Sequence, residues 1–167
     1  MPVTAARMDE EIRKQILALL DQHRIMAIAT LRPDGWPQAT TVGYVNAGLT
    51  LYFLCGLDSQ KAANLARDDR VSLTIDHDTP DIMAITGLSM AAHAQPVVDR
   101  DEAAKLLRML PLKYPEQKVP LPLPIPGPDD VRIFRVTPTV ISVLDYSKGF
   151  GHTDLVTCRS GVETDLD

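Results

Sequence analysis

Three short strand-like segments separated by tight turn signals constrain the fold of this chain more than any other feature. They are RIMAIATL (24–31), QATTVGYV (38–45) and LTLYFLCG (49–56). Asp34–Gly35, inside RPDGWP, is a strong hairpin signal, and NAG (46–48) supplies a second tight turn. The segments therefore predict a three-strand antiparallel meander.

Three helices are expected around these strands. Apolar residues recur at helical spacing with charges between them over residues 8–23, namely Met8, Ile12, Ile16, Leu19 and Leu20. Asp58 and Ser59 are good caps for a helix over 59–69, and Asp99 caps a third helix over 99–115 that should end near Pro111. The first of these helices should be amphipathic and pack on the strands.

The remaining segments add strands and one connector. Strands are predicted over 71–77 and 81–97, with Gly87 as a candidate bulge position, and a strand pair or one bent strand over 131–146. VPLPLPIPGPDD (119–130) has too many prolines to join a ladder and should be an extended connector.

Strands outnumber helices in this assignment, and short turns link several of them. The economical architecture is a mainly β, α+β fold in which a small antiparallel barrel is closed by helices, because closure removes exposed edges. We expect one domain over 1–167, comprising an N-terminal helix (1–23), the barrel (24–146) and a C-terminal segment (147–167).

Composition excludes several classes of protein. The 167 residues carry a net charge of −5 and no basic tract, which argues against nucleic acid as a partner. No apolar run approaches the roughly 20 residues that span a bilayer, so no membrane span is expected. The N-terminus is not of the secretory type, and the two cysteines are far apart, so a cytoplasmic location is expected.

Lys61 is unusual because it falls in the first turn of the predicted 59–69 helix. That end of a helix carries partial positive charge and favours anions. One interpretation is that an anion binds there and Lys61 helps to hold it. The simpler interpretation is a solvated lysine balanced by Asp58, and the residues alone favour it, because isolated surface lysines are common.

The order of these elements resembles the pyridoxamine 5′-phosphate oxidase-like family of FMN-binding split barrels. The matching pieces are IATLRPDGWPQATTVGYV, LYFLCGLDSQKAANLARDDRVSLTI and the late DYSKGFGHTDLV. The resemblance implies an antiparallel split barrel, FMN as cofactor and a homodimer with FMN at its interface. It also implies that Ser59 and Lys61 bind the FMN phosphate and that Gln60 supplies a backbone N–H.

The resemblance implies further cofactor contacts on the second and third strands. Thr40, Thr41, Val42 and Gly43 would lie along the isoalloxazine ring, although two threonines also suit an ordinary strand. Gly43 could permit close approach or mark a bulge. Cys55 precedes the phosphate loop, either as a reactive thiolate or as a small strand-end residue. Asn64, one helical turn beyond Lys61, would reach the cofactor or be solvated.

The late segment YSKGFGHTDLV (146–156) and the acidic DHDTPD (76–81) are the other candidate sites. Phe150 could stack on a ring and His152 could donate a hydrogen bond or a proton, or both could lie in a flexible loop. In the family such segments often approach the flavin of the partner subunit. DHDTPD could ligate a metal, but acids beside a proline usually form a turn, so no metal is expected.

The chain departs from true pyridoxamine phosphate oxidases in two places. ATTVGY lacks the basic residues that grip the FMN phosphate in those enzymes, and their C-terminal arginine and histidine motif is not visible. Vitamin B6 oxidation is therefore not expected. The resemblance implies an FMN-dependent oxidoreductase acting on a small molecule, with a non-catalytic flavin sensor or carrier, or a protein using F420 or haem, as alternatives.

Overall fold

The computed structural model describes residues 6–116, 127 and 129–158. The proline-rich connector falls almost wholly outside these residues, as do residues 159–167 of the predicted C-terminal segment. The helices are α1 (Glu10–Gln22), α2 (Gln60–Arg67) and α3 (Arg100–Lys113). The strands are β1 (Ala6–Arg7), β2 (Ile25–Leu31), β3 (Pro37–Gly43), β4 (Val45–Ala47), β5 (Thr50–Gly56), β6 (Arg70–Asp76), β7 (Thr86–Pro96), β8 (Val131–Asp145) and β9 (Thr153–Thr157).

The strands form one sheet that curls into a half-barrel with three helices. Its main path runs β1-β9-β8-β7-β6-β2-β3, and β5 joins it through β8 while β4 pairs with β5. Every ladder is antiparallel except the short β1–β9 pair. This architecture confirms the predicted split-barrel α+β fold. No helix in the described part of the chain is long and apolar enough to cross a membrane.

The predicted meander is wrong at its third strand, because the second segment is two strands divided at Tyr44. The Tyr44 hydroxyl is buried and donates to the Leu20 carbonyl at 2.7 Å, and its backbone N–H donates to the Arg24 carbonyl at 3.2 Å. Tyr44 is thereby held at the end of the β2–β3 ladder, and the chain beyond it forms β4, which pairs with β5. Among the described strands β3 pairs only with β2, and its other edge is left free.

Helix α1 forms where the sequence predicts it and closes one side of the core. Asp9 caps it by accepting from the Ile12 N–H at 2.8 Å, as Asp does at many helix starts. Ile16, Leu19 and Leu20 are buried against the inward residues of the strands. Burial of such side chains stabilises the fold by about 1.5–3 kcal/mol each.

Helix α3 is held on the outer part of β5 and β8 by a partly buried ion pair. Glu102 accepts from Arg135 at 2.5 and 3.0 Å, and the Tyr52 hydroxyl donates to the same carboxylate at 3.3 Å. The helix continues two residues past Pro111, whose missing N–H falls in the last turn. At its end the Lys113 ammonium donates to the Leu20 carbonyl at 2.6 Å.

Two predictions about strand β7 are wrong. The strand begins at Thr86, because Asp81 caps a short 3₁₀ turn over Ile82–Ala84 and accepts from the Met83 N–H at 2.9 Å. Gly87 keeps regular register, and its small size is needed because a Cβ there would come within 2.7 Å of the Ile75 carbonyl. The irregularity lies between Ala91 and Ala92, opposite Thr139.

Strand β8 is one continuous strand of 15 residues, which decides between the two expectations for that segment. The last part of β8 pairs with β9, which lies in the predicted C-terminal segment and was not predicted as a strand. Only Val156 of β9 is fully buried, so the strand has too weak an apolar alternation to be recognised from its sequence.

Candidate functional site

Helix α2 begins with free hydrogen-bond donors that face outward from its N-terminus. The Ser59 hydroxyl oxygen accepts from the Ala62 N–H at 3.1 Å, and the Ser59 N–H donates to the Gly56 carbonyl at 3.1 Å. The N–H groups of Gln60 and Lys61 have no intrahelical acceptor, because the first turn of a helix offers none. Two amides, one hydroxyl hydrogen and the helix dipole therefore favour an anion here.

Lys61 is half-buried beside these donors and makes no hydrogen bond or ion pair within the described part of the chain. In particular, no ion pair joins it to Asp58, so the simpler interpretation of a lysine balanced by that carboxylate is not seen. A cation without a partner at a helix N-terminus is unfavourable on its own. An anion bound at the same place would satisfy both the ammonium and the amides.

Asn64 lies one turn further along α2 and is fully buried, so the prediction of a solvated helix residue is wrong. Its amide nitrogen donates to the Thr30 hydroxyl at 3.0 Å and to the Gln38 side-chain oxygen at 3.2 Å. Its amide oxygen accepts from Gln60 at 2.9 Å. Both amide hydrogens are thus used inside the protein, and Asn64 holds α2 against β2 and β3.

The free edge of β3 carries the four predicted ring-binding residues. Thr41 and Gly43 are exposed, whereas Thr40 and Val42 are half-buried on the opposite face. Within the described residues, the Thr40 hydroxyl is the one buried side-chain oxygen or nitrogen that lacks a hydrogen-bond partner. A buried hydroxyl without a partner costs about 1–3 kcal/mol, so this position is suited to a ligand that completes it.

Gly43 and Cys55, which were predicted to contact the cofactor, make contacts within the protein that account for a small residue at each position. Gly43 is in regular register opposite Ile25, which excludes the bulge. A Cβ at Gly43 would contact the Tyr114 ring, with Cζ 3.3 Å away, so the close approach there is to Tyr114. Cys55 is half-buried and packs against the main core as a small residue near the end of β5.

A groove of about 540 Å³ opens beside Ser59 on the side of α2 away from Asn64. Its walls are the helix itself and the ends of β7 and β8, and they include Leu57, Ala63, Pro96, Arg132 and Phe134. The groove therefore leaves the Ser59 side of the α2 N-terminus open, while Lys61 is not among its lining residues.

Phe150 and His152 lie in the turn that connects β8 with β9. The Phe150 ring is 75% exposed and meets the edge of Tyr146, with ring centroids 5.6 Å apart. His152 Nε2 lies 3.1 Å from an Asp154 carboxylate oxygen, and Lys148 lies 3.5 Å from the same oxygen. The hydrogen bond from His152 is the main reason that the pKa of Asp154 lies below its ordinary value.

The structure does not bring His152 and Lys61 together within one protomer. Val131, at the start of β8, pairs with Gly56 at the entrance to α2. Asp145, at the other end of β8, leads into the turn that carries His152. Lys61 and His152 therefore follow segments at opposite ends of the 15-residue strand β8.

Sequence reasoning missed Thr30 and Gln38, which anchor Asn64. They are direct neighbours in the β2–β3 ladder, and Thr30 is buried although it is polar. A threonine in the otherwise apolar run IMAIATL (25–31) was the available signal, because a buried polar group requires a partner.

Solved structures share this fold over most of the chain. A Listeria innocua protein provisionally named a pyridoxamine 5′-phosphate oxidase has a TM-score of 0.64 and 21% identity over 80% of this chain and 98% of its own. A protein of the pyridoxinephosphate oxidase family from Clostridium acetobutylicum, related to a general stress protein, has a TM-score of 0.66 and 16% identity over 90% and 96%. A haem-binding protein from Mycobacterium smegmatis has a TM-score of 0.64 and 21% identity over 92% and 60%.

Because these sequence identities are low, the matches establish a common fold but do not establish a common activity. No curated protein sequence matches this chain significantly. The family model described as pyridoxamine 5′-phosphate oxidase matches residues 12–145, which include β2 to β8, α2 and most of α1. The match covers most of the 167 residues, and the chain therefore belongs to the pyridoxamine 5′-phosphate oxidase family.

Proposed function

We propose that this chain binds FMN between two copies of itself and acts as an FMN-dependent oxidoreductase on a small molecule. The observation that carries the proposal is a pair of groups on neighbouring elements, the Lys61 ammonium and the Thr40 hydroxyl, that have no partner in the described part of the chain. Gln38 shares a face of β3 with Thr40 and is bonded to Asn64, one helical turn from Lys61. Both unsatisfied groups thus border one region between α2 and the free edge of β3.

The phosphate of FMN fits the start of α2. A phosphate monoester carries nearly two negative charges near pH 7 and accepts several hydrogen bonds. Lys61 would neutralise one charge, while the Ser59 hydroxyl and the Gln60 and Lys61 amides would donate to its oxygens. Arg67 is not free to help, because it donates to the carbonyls of Leu31 and Arg32. Lys61 in the first turn of α2 and Arg132 on the groove wall beside Ser59 are therefore the cations that could meet the phosphate.

The free edge of β3 suits the polar edge of the flavin ring. Backbone N–H and C=O groups of an unpaired strand edge need partners, and Thr40 to Gly43 would offer theirs to the ring. The Thr40 hydroxyl would gain the hydrogen bond that it lacks in the protein alone. When bound, FMN supplies hydride transfer, and the chain contributes binding, orientation and exclusion of water.

A second copy of the chain would complete this site. The outward face of β2, β6 and β7 carries small residues that are exposed or half-buried, namely Ala27, Ala29, Ser72, Ser89 and Ala91. Such a face can approach a matching surface closely, as in a two-fold symmetric interface. Phe150 of the second copy would then cover the ring, and His152, oriented by Asp154, would exchange a proton with the substrate.

The test of the proposed function is the visible absorbance of the purified full-length protein. We expect a dimer by light scattering, a flavin spectrum before or after incubation with FMN, and a released ligand with the mass of FMN. A haem spectrum would replace the proposal with the cofactor type of the Mycobacterium smegmatis protein. Protein that stays colourless in excess FMN would refute it. Oxidation of NAD(P)H by the loaded protein would separate an oxidoreductase from a sensor or carrier.

Replacement of Thr40 by valine is expected to change stability and FMN binding in opposite directions. Valine has nearly the same shape, so it removes a buried hydroxyl without a partner and should stabilise the FMN-free protein by about 1 kcal/mol. The same change should weaken FMN binding several-fold, because the bound cofactor loses a hydrogen bond. Urea unfolding without FMN and a fluorescence titration with FMN would measure the two effects. Loss of stability without FMN would contradict the prediction.

A further inference from the structure

Two histidines that are 54 residues apart in the sequence meet on the surface away from α2. His23 ends helix α1, and His77 follows the last residue of β6. His23 Nε2 lies 3.2 Å from His77 Nδ1, and the ring centroids are 5.3 Å apart with an interplanar angle of 36°. His77 is exposed and His23 is half-buried, so solvent reaches the pair.

The hydrogen bond of His23 Nδ1 fixes the tautomer of the ring and so decides which ring nitrogen has a free lone pair. His23 Nδ1 lies 2.8 Å from the Leu19 carbonyl oxygen, which can only accept a hydrogen bond. Nδ1 therefore carries the hydrogen, and Nε2 presents its lone pair towards His77. Metal-binding histidines in proteins are commonly fixed in this way, with the second ring nitrogen donating to a backbone carbonyl.

The separation of the two nitrogens matches that of two ligands on one metal ion. Imidazole nitrogens bind Zn²⁺ at about 2.0–2.1 Å, so two of them are roughly 3.3 Å apart at a tetrahedral angle and roughly 2.9 Å apart at a right angle. The observed 3.2 Å lies between these values. Both rings can thus bind one ion with little movement, once His77 carries its hydrogen on Nε2 instead of Nδ1.

We propose that His23 and His77 form a surface site for a divalent transition metal of the Zn²⁺, Ni²⁺ and Cu²⁺ class, separate from the FMN site. No set of three or more possible metal ligands occurs within the described residues, so water would fill the remaining positions. Asp76 and Asp78 flank His77 in the sequence and add negative charge, while the Arg24 guanidinium is engaged with the Lys113 carbonyl. Two protein ligands give micromolar rather than nanomolar affinity.

A bound ion would join the end of α1 to the end of β6. That link closes a loop of more than fifty residues, and a ligand that binds only the folded state raises its stability. The proposal gives a role to the histidine of DHDTPD, whose Asp81 only caps a turn.

The test is a Ni²⁺ titration of the full-length protein without an affinity tag, because imidazole is a preferred ligand of Ni²⁺. We expect one saturable site and a rise in melting temperature of about 5 °C at saturation that excess EDTA reverses. His23→Gln and His77→Gln should each weaken binding about tenfold or more, since each removes one of two ligands.

His93→Gln is the matched control, because His93 is also exposed but is paired with the Asp69 carboxylate at 2.8 Å. It should leave Ni²⁺ affinity unchanged. Equal affinity in all three variants, or no saturable binding to the parent protein, would show that the two rings are joined by a hydrogen bond alone. Circular dichroism of each variant would establish that it is folded, and neither result bears on FMN.

Discussion

Replacing Lys61 with methionine is expected to weaken FMN binding by about 10- to 100-fold. Methionine keeps the apolar stem and removes the ammonium from the first turn of α2, beside the amides proposed to hold the phosphate. A hydrogen bond to a charged group contributes about 1.5–3 kcal/mol, which corresponds to this change in affinity. Because the ammonium has no partner among the residues that the structure describes, its removal should not destabilise the fold.

Riboflavin provides the sharpest control for the Lys61 prediction, because it carries the flavin ring without the phosphate. The Lys61→Met variant and the parent protein should bind riboflavin equally well in a fluorescence titration, while their FMN affinities diverge. Lys14→Met, on the exposed side of α1, should leave both affinities unchanged. If Lys61→Met kept the parent FMN affinity, or lost riboflavin as well, Lys61 would not be a phosphate ligand.

The local elements of the fold could be predicted from the sequence because their signals are local. Asp9 and Asp99 cap helices at the expected positions, and the Asp34–Gly35 turn joins β2 to β3. The fold class followed from the number and order of these elements. Each of these features depends on residues within a few positions of one another.

The sheet pairing could not be predicted in the same way, because it depends on contacts between distant residues. Strand β3 ends before Tyr44, whose buried hydroxyl donates to the carbonyl of Leu20 near the end of α1, 24 residues earlier. Strand β5 then pairs with β8, about 80 residues later in the chain than β5 itself, which no local pattern indicates. Strand β9 pairs through its backbone and buries only Val156 fully.

In the candidate site, too, the residues set by local patterns could be predicted and those set by contacts between distant residues could not. Ser59 and Lys61 could be placed at a helix start from the capping pattern, and the structure places them there. Asn64 could not be assigned correctly, because its role depends on Thr30 and Gln38 in strands that precede it by 34 and 26 residues. Helical spacing alone placed it on the face of Lys61 and gave no information on what that face contacts.

The departure of β5 from β3 also leaves the edge that the proposed cofactor needs. β3 and β5 approach each other to within 8 Å between Cα atoms, yet no ladder joins them. If the predicted meander had formed, β5 would have paired with this edge and used its backbone groups. The buried Tyr44 therefore links the core to the site, because it is anchored on α1 at the point where β3 ends and β4 begins.

Replacement of Asn64 by leucine is expected to destabilise the protein by about 2–4 kcal/mol. Leucine has the same branching and the same number of side-chain heavy atoms but no polar group, so the Thr30, Gln38 and Gln60 side chains lose their partner in or near the core. Each buried polar group without a partner costs about 1–3 kcal/mol, and the exposed Gln60 can turn to solvent.

The same substitution should also weaken FMN binding, because Asn64 holds α2 and hence Lys61 at a fixed distance from β3. Urea unfolding of the FMN-free protein would measure the stability change as a lower midpoint at an unchanged slope.

Gln60→Ala is the matched control, since it removes only the exposed member of the network and should cost less than about 1 kcal/mol. If Asn64→Leu were no more destabilising than Gln60→Ala, the network would not hold α2 in place. If it unfolded more easily but bound FMN with the parent affinity, α2 would not need this anchor to form the phosphate site.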